Sequence, residues 1–564
     1  MSEAIKGGRL MAEQLVASGV TTIFALAGAG HTHLLMELED LGVRLIGTRH
    51  ETGAVGAADG YARTTGKPGI AAIIAEQGLP NAITAIETAF LYGSPVVVLV
   101  TRFPQNWLEV GGEIAIDHHA RLAGITKWAR TVPSPDKLGD YLATGLRIAQ
   151  SGRPGPVVLV IPQDFLALPV PSSAARGAPA LPCPAAPSPE AMAELLKLIP
   201  TAERPAILVD AGLDGVRAGD ALGSLNAAGM AIFGYGGARG AIAENDGLGV
   251  LPWPYAQFAL PACDLLIVAG ARLNMWFGFG RAPRFPATTK VVQIDAVAEA
   301  IGRNQPVDLG IVADPAIALA HLADALAETA HAGWRRDWFD EALAPRRAAI
   351  TATRSDAIHA LALVAALQER RPKQGYLIVD GADILNWSHA AFRVARPRGY
   401  IDHHPMGSMG MGLPLAIGAA AAEQEQAQAE GREPCPALLL TGDGALGFYL
   451  AELDSVARAG LPLKIAIGND AQWGTEYHGQ QLMTGRNVNT RLAEVDYGAV
   501  ARGLGLAAAT INEPQNLAAA IDRLFVDSLP ALLDVRIDRE AGRSLKTDPR
   551  LSFLIFSDLA PPDR

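Results

Sequence analysis

The chain has 564 residues, 47 of them Lys or Arg and 58 Asp or Glu, and the net charge of −11 argues against a nucleic-acid or anionic-membrane surface, which would concentrate positive charge. With 49% hydrophobic and 19% charged residues, 59 Gly and 38 Pro, it reads as soluble and globular, and its length exceeds one hydrophobic core, so about three or four domains are expected. Cys183, Cys263 and Cys435 stand far apart without a CxxC, which supports neither a disulfide framework nor a zinc site. The opening MSEAIKGGRLMAEQLVASGV has no basic segment before an apolar core, and no uncharged apolar run of about 18 residues occurs, so a cytoplasmic location is expected.

In chain order, short Val/Ile/Leu/Ala runs alternate with amphipathic helical spacing. TTIFALAG (21–28), GIAAIIA (69–75), PVVVLV (95–100) and GPVVLVI (155–161) predict strands in the first third. AILVD (206–210), LLIVAG (265–270) and KVVQID (290–295) do so in the second, and YLIVD (376–380), ALLLTG (437–442), LKIAIG (463–468) and ALLDVRI (531–537) in the third. Runs of this kind fit strands covered on both faces, so the fold class is α/β with three doubly wound, mainly parallel sheets. The Pro-, Ala- and Ser-rich stretch from Pro169 to Glu190 and the charged, more helical one from Ala332 to Ser355 read as separators, giving domains at 1–170, 190–330 and 356–545.

Within the first domain, the strand-like VRLIGT leads into Arg49-His50-Glu51, where Glu51 starts a helix whose next face is small: Gly53, Ala54, Gly56, Ala57, Ala58 and Gly60. Such a face lets another backbone come close. Gly28-Ala29-Gly30 lacks the third glycine of a dinucleotide fingerprint, so no nicotinamide site is expected. Within the third, DGAD (380–383) and IDHHPMGSMGMG (401–412) precede the densest signal, LLLTGDGALGFYLAELDSVARAGLPLKIAIGNDAQW (438–473). It reads as strand, Gly442-Asp443-Gly444, a helix from near Ala445 carrying Leu446, Leu450, Leu453 and Val456, a second strand, then Asn469-Asp470. In a βαβ unit the two turns share the carboxyl edge of the sheet, so Asp443 and Asp470 face one site, suited to Mg²⁺ holding a diphosphate beside a helix N-terminus.

This order of motifs resembles the thiamine diphosphate (ThDP) enzymes, and the resemblance covers nearly the whole chain. It implies pyrimidine-binding, central and diphosphate-binding domains in that order. It further implies Mg²⁺ ligands at Asp443, Asp470 and the main-chain carbonyl of Gln472; the family more often has Asn where Asp470 stands. Glu51 would hydrogen-bond N1′ of the aminopyrimidine and promote removal of the C2 proton. Met409 and the main chain near Gly407 would hold the cofactor bent. Further cofactor contacts are implied at Asn81, Gly381, Ala382, Gly442, Gly444, Ala445, Trp473 and Gly474. Sites of this family lie between two subunits, so a homodimer or homotetramer is expected.

Within the family, GTRHE (47–51), GLPNAIT (78–84), GITKWA (124–129), GSMGMG (407–412) and QWGTEYHGQQL (472–482) are most similar to benzaldehyde lyases. Ala29 and His403 match active-site positions of that group. Gly30 replaces its histidine, with His31 one place later; Glu113 replaces a glutamine, Leu385 a tyrosine, and Glu76-Gln77 two glycines. Glu51, His403, Glu113, Ala29, Gly30 and His31 are the candidate catalytic residues; His403 is the first acid–base candidate, ahead of His31, His33, His118, His119, His404 and His478. The expected activity is C–C cleavage or carboligation of 2-hydroxy ketones and aldehydes. A 2-oxo acid decarboxylase or acetolactate synthase-like enzyme is the alternative, and a 2-hydroxyacyl-CoA lyase is less favoured because no basic C-terminal patch is evident. A noncatalytic binder of the same fold would need the intact Glu51, Asp443 and Asp470 explained otherwise. Related central domains carry FAD or ADP; GARLNMWFGFGR (270–281) occupies a comparable place, its aromatics read as packing or entrance residues, and no flavin is expected.

Overall fold

The computed structural model describes residues 4–107, 118–244, 250–252, 257–282, 284–328, 333–334, 337–526 and 530–551. After β1 (Ala4–Lys6), strands β2 (Thr22–Ala25), β3 (Arg44–Gly47), β4 (Gly69–Ile74), β5 (Val96–Arg102), β6 (Trp128–Thr131) and β7 (Val157–Pro162) form a six-stranded parallel sheet in the order β3-β2-β4-β5-β7-β6. The Pro-rich stretch read as a separator begins as β8 (Pro169–Pro171), antiparallel to β1. The second sheet contains β9 (Pro205–Val209), β10 (Ala231–Gly234), β11 (Val250–Pro252), β12 (Leu265–Ala269), β13 (Lys290–Asp295) and β14 (Leu309–Val312), ordered β11-β10-β9-β12-β13-β14. The third has β15 (Leu377–Asp380), β16 (Tyr400–Asp402), β17 (Ala437–Gly442), β18 (Leu463–Asn469), β19 (Ala507–Ile511) and β20 (Ala531–Arg536), ordered β16-β15-β17-β18-β20-β19. These are the three parallel α/β domains of the expected fold class.

The first and third sheets are wound alike, and their strands alternate faces as the pleat requires. Ile73, Val98 and Val160 from one sheet and Ile378, Leu439 and Ile465 from the other join one shared core, whereas Leu99 and Leu159, or Leu438 and Leu440, turn to separate outer cores. Between the two sheets lie the helices Glu51–Thr65 and Gly412–Glu430, each following the second strand of its own sheet. Their contact is the close backbone approach that the small face predicts. A Cβ on Gly60 would lie 2.0 Å from the Leu415 carbonyl oxygen, and one on Gly418 would lie 1.9 Å from that of Ala57.

The expected single helix after Ala445 is broken. Asp443–Gly447 and Glu452–Arg458 are short helices joined by a tighter turn, in which the Glu452 and Leu453 N–H groups donate to Tyr449 and Leu450 carbonyls. The break frees Glu452, buried, to accept from the Arg49 and His50 N–H groups at 3.1 and 3.0 Å, closing the start of the Glu51 helix. Ser455 Oγ donates to the same carboxylate at 2.6 Å.

Candidate active site

β17 and β18 pair with Gly442 opposite Gly468, so both following turns emerge at one edge. Among the described residues, the pocket there is lined by residues between Ala360 and Gly542. Gly381, Ala382, Met409, Gly442, Asp443, Gly444, Ala445, Asp470, Gln472, Trp473 and Gly474, all expected at the cofactor, lie in its wall. Glycine is needed at two of these places. A Cβ on Gly444 would lie 2.6 Å from the Trp473 ring, and one on Gly474 would meet Asp470 Oδ2 at 2.9 Å.

Asp443 is 1% exposed, and its Oδ2 has no partner among the described residues; neither does the buried side-chain Oε1 of Gln472. Burial pushes the Asp443 carboxyl upward, and burial together with the charges of Asp443 and Asp383 pushes Asp470 upward. Two desolvated carboxylates, the charge of Asp443 opposing the ionisation of Asp470, form a place where a divalent cation removes the penalty. Helix Gly474–Thr484 also begins at the pocket, presenting N–H groups suited to an anion. The residues therefore fit a metal–diphosphate group.

Sequence reasoning did not find the clamp behind Asp470. Arg539 Nε donates to the Asp470 carbonyl at 3.1 Å, while the Arg539 carbonyl accepts from Gln472 Nε2 at 2.8 Å and lies 3.1 Å from His478 Nε2. Arg539 is far away in sequence and exposed, so no local pattern marks it.

The Gly407–Gly412 loop is built on buried Asp380. Its Oδ2 accepts from the Gly410 and Gly412 N–H groups at 2.9 and 2.7 Å, its Oδ1 accepts from Gly381 N–H at 2.7 Å, and Oδ1 also pairs with His403 Nδ1 at 2.8 Å. Burial alone would favour a neutral His403 ring; hydrogen bonding to Asp380 and the charges of Asp380 and Asp402 more than offset this, and the pKa is raised. Gly407 has φ +77, which favours glycine. From the second domain, Trp276 Nε1 donates to the Pro405 carbonyl at 3.3 Å and its ring meets His404 edge-on at 4.1 Å, while Phe277 packs against Tyr235 at 5.3 Å. Trp276 thus packs between domains, and Phe277 packs within the second. Beyond them the second sheet's carboxyl edge opens on a cavity of about 340 Å³ reached by Asp210, Asp295, Arg153 and Arg272.

Glu51 and Asn81 stand apart from the pocket, on the first sheet's edge. Glu51 is buried at the first turn of its helix, and its Oε2 accepts from Asn81 Nδ2 at 3.0 Å. His50 caps the helix by accepting from Thr52 N–H at 3.1 Å. Ala29 is exposed. Gly30 is hemmed in, since a Cβ there would lie 2.6 Å from Thr101 Oγ1 and 3.3 Å from Gln163 Oε1. His31 turns inward: its Nε2 accepts from Gly28 N–H at 3.0 Å, its Nδ1 lies 3.3 Å from Thr101 Oγ1, and burial lowers its pKa. Leu385 is buried in the outer core of the third sheet. Glu113 lies outside the described residues.

Three family models match in sequence: the N-terminal thiamine pyrophosphate-binding domain over residues 5–120, the central domain over 192–322 and the C-terminal thiamine pyrophosphate-binding domain over 380–535. Among curated relatives, the acetolactate synthase large subunit IlvG of Mycobacterium tuberculosis is 29% identical over 566 residues, covering 99% of each chain. The 2-hydroxyacyl-CoA lyase 2 of Caenorhabditis elegans is 28% identical over 561 residues, covering 90% of this chain and 84% of its own. Its human counterpart is 27% identical over 555 residues, covering 88% and 84%. The chain belongs to the thiamine pyrophosphate enzymes, as a ThDP-dependent member of the acetolactate synthase and 2-hydroxyacyl-CoA lyase group that forms or cleaves carbon–carbon bonds.

Proposed function

We propose that this protein is a ThDP- and Mg²⁺-dependent C–C lyase and carboligase acting on 2-hydroxy ketones and aldehydes. The observation that carries it is the pair of desolvated carboxylates, Asp443 and Asp470, at adjacent strand ends beside a helix N-terminus. When bound, ThDP supplies a nucleophilic thiazolium carbon and a sink for the electron pair of the breaking bond. Asp443, Asp470 and the Gln472 carbonyl hold Mg²⁺, with Arg539 fixing the Asp470 main chain. Met409 and Gly407 shape the loop over the cofactor. Asn81 occupies Glu51 Oε2, which leaves Oε1 to exchange a proton with a pyrimidine nitrogen. His403 is oriented by Asp380 and is assigned to proton transfer at the substrate; His31 positions the Gly28–Gly30 turn that keeps Ala29 at the surface.

Among the described residues none before Ala360 lines the diphosphate pocket, which supports a working unit in which Glu51 and Asn81 serve the pocket of a second copy, a homodimer or a dimer of dimers. An active monomer by light scattering would refute this. The narrower benzaldehyde lyase-like reading rests on the shared sequence segments; Gly30 leaves no room for the histidine of that group. A second reading, decarboxylating carboligation of 2-oxo acids, is favoured by the similarity to acetolactate synthases at 29% identity. Product analysis separates them: the loaded enzyme is incubated with benzoin-type and aliphatic hydroxy ketones, a 2-hydroxyacyl-CoA, pyruvate and benzoylformate. Aldehyde without CO₂ supports the lyase, whereas CO₂ from the oxo acids alone overturns it.

A further inference from the structure

The loop that would seat the cofactor's pyrimidine is anchored from two domains. Its later half hangs on Asp380 of the third domain, which accepts from the Gly410 and Gly412 N–H groups. Its earlier half, His404 to Gly407, meets the second domain through Trp276. The indole Nε1 donates to the Pro405 carbonyl at 3.3 Å, the ring meets His404 edge-on at 4.1 Å, and a Cβ built on Gly407 would lie 3.8 Å from Cζ2. Gly407 N–H closes the turn by donating to the His403 carbonyl at 3.0 Å, so the indole lies along the turn that carries the left-handed Gly407.

Trp276 is itself held at a fixed point. Its N–H donates to Asn274 Oδ1 at 3.0 Å, and its carbonyl accepts from Arg284 Nη1 at 3.4 Å. The Asn274 carbonyl accepts from the Phe277 and Phe279 N–H groups at 3.0 and 2.9 Å, and the chain leaves through left-handed residues at Gly278, Phe279 and Gly280, with φ of 59, 56 and 71. A left-handed phenylalanine is strained, and it persists only where its surroundings fix the backbone. Phe277, the next side chain, is fully buried in the second domain's core.

Resting on the ThDP reading above, we propose that Trp276 is a positioning residue for the reaction, through which the second domain sets the Gly407 main chain against the cofactor's pyrimidine. The indole Nε1–H is a donor only, so it relays no proton and its influence is geometric. The metal pocket holds the diphosphate end and Asp380 holds residues 410–412; Trp276 fixes the segment that precedes them. A displacement there costs proton transfer, which needs aligned partners, more than it costs binding, which is spread over the whole cofactor.

The test compares Trp276→Phe, which keeps a ring but loses the donor, with Trp276→Leu, which loses both. Exchange of the ThDP C2 proton, followed by NMR in D₂O with Mg²⁺ saturating, should slow about fivefold in the first and more than about 30-fold in the second. ThDP affinity by calorimetry should stay within about threefold of wild type in both. The circular-dichroism band of the bound pyrimidine should change in both. Wild-type exchange in Trp276→Leu, or an affinity that falls by the same factor as exchange, overturns the proposal. Should the leucine variant fail to fold, deuterium uptake of the unloaded protein, read by mass spectrometry in Trp276→Phe, decides. Faster uptake confined to residues 403–412 and the Trp276 loop supports the assignment, and unchanged uptake at 403–412 refutes it. Failure of the wild type to bind ThDP with Mg²⁺ would instead strike the functional reading, while the uptake of the unloaded protein still judges the contact.

Discussion

The first and third sheets repeat one strand order and pack together through equivalent helices, yet their carboxyl edges carry different chemistry. The third edge presents two desolvated carboxylates, Asp443 and Asp470, and a helix N-terminus. The first presents Glu51, tied to the Asn81 amide, and Glu76, which accepts from the Phe103 N–H. One winding therefore supplies two edges, and the residues placed there decide which end of a ligand each can hold.

Substitutions on the two edges should separate binding from proton transfer. Glu51→Gln should keep ThDP affinity while exchange of the cofactor C2 proton, followed by proton NMR in D₂O, slows by about 100- to 10,000-fold. Unchanged exchange would deprive Glu51 of its role. Asp443→Ala should do the converse and lower Mg²⁺-dependent ThDP affinity by about 100-fold or more, measured by calorimetry. The same experiment has a defined pH sign. The Asp443 and Asp470 pKa values are raised in the metal-free fold and both groups must ionise to bind Mg²⁺, so affinity should rise with pH and binding should release protons. Equal heats in buffers of different ionisation enthalpy would contradict this.

The seam between the two halves allows a smaller perturbation. Gly60→Ala places a methyl 2.0 Å from a backbone carbonyl and should destabilise the protein by about 1–3 kcal/mol in denaturant titration. A neutral effect would mean that the two helices can part. The smallest change is expected at Arg539→Ala, which removes one hydrogen bond to the Asp470 carbonyl and should weaken Mg²⁺ binding by about fivefold with Glu51-dependent proton exchange unaffected once the site is saturated. An equal loss in exchange would show that the two edges do not act independently.

The central strands were legible because burial on both faces imposes unbroken apolar runs, as in Val96–Arg102 and Leu463–Asn469. Edge strands were harder to read. β6, β14 and β19 are partly exposed along their length, so Trp128–Thr131, Leu309–Val312 and Ala507–Ile511 lack that signature. The pocket wall was legible for a related reason: Gly442 to Ala445 and Asp470 to Gly474 are contiguous, and a βαβ unit carries both turns to one edge.

What the sequence by itself determined is the set of sheets, the small face of the Glu51 helix and the two turns bearing Asp443 and Asp470, because each follows from a local period or a fixed crossover. Only the tertiary structure decided that the helix after Ala445 breaks so that Glu452 accepts from Arg49 and His50, that His31 turns inward, and that Arg539 clamps Asp470. These arrangements join residues distant in the chain, and their energies arise from desolvation and directional hydrogen bonds that exist only once the sheets have packed.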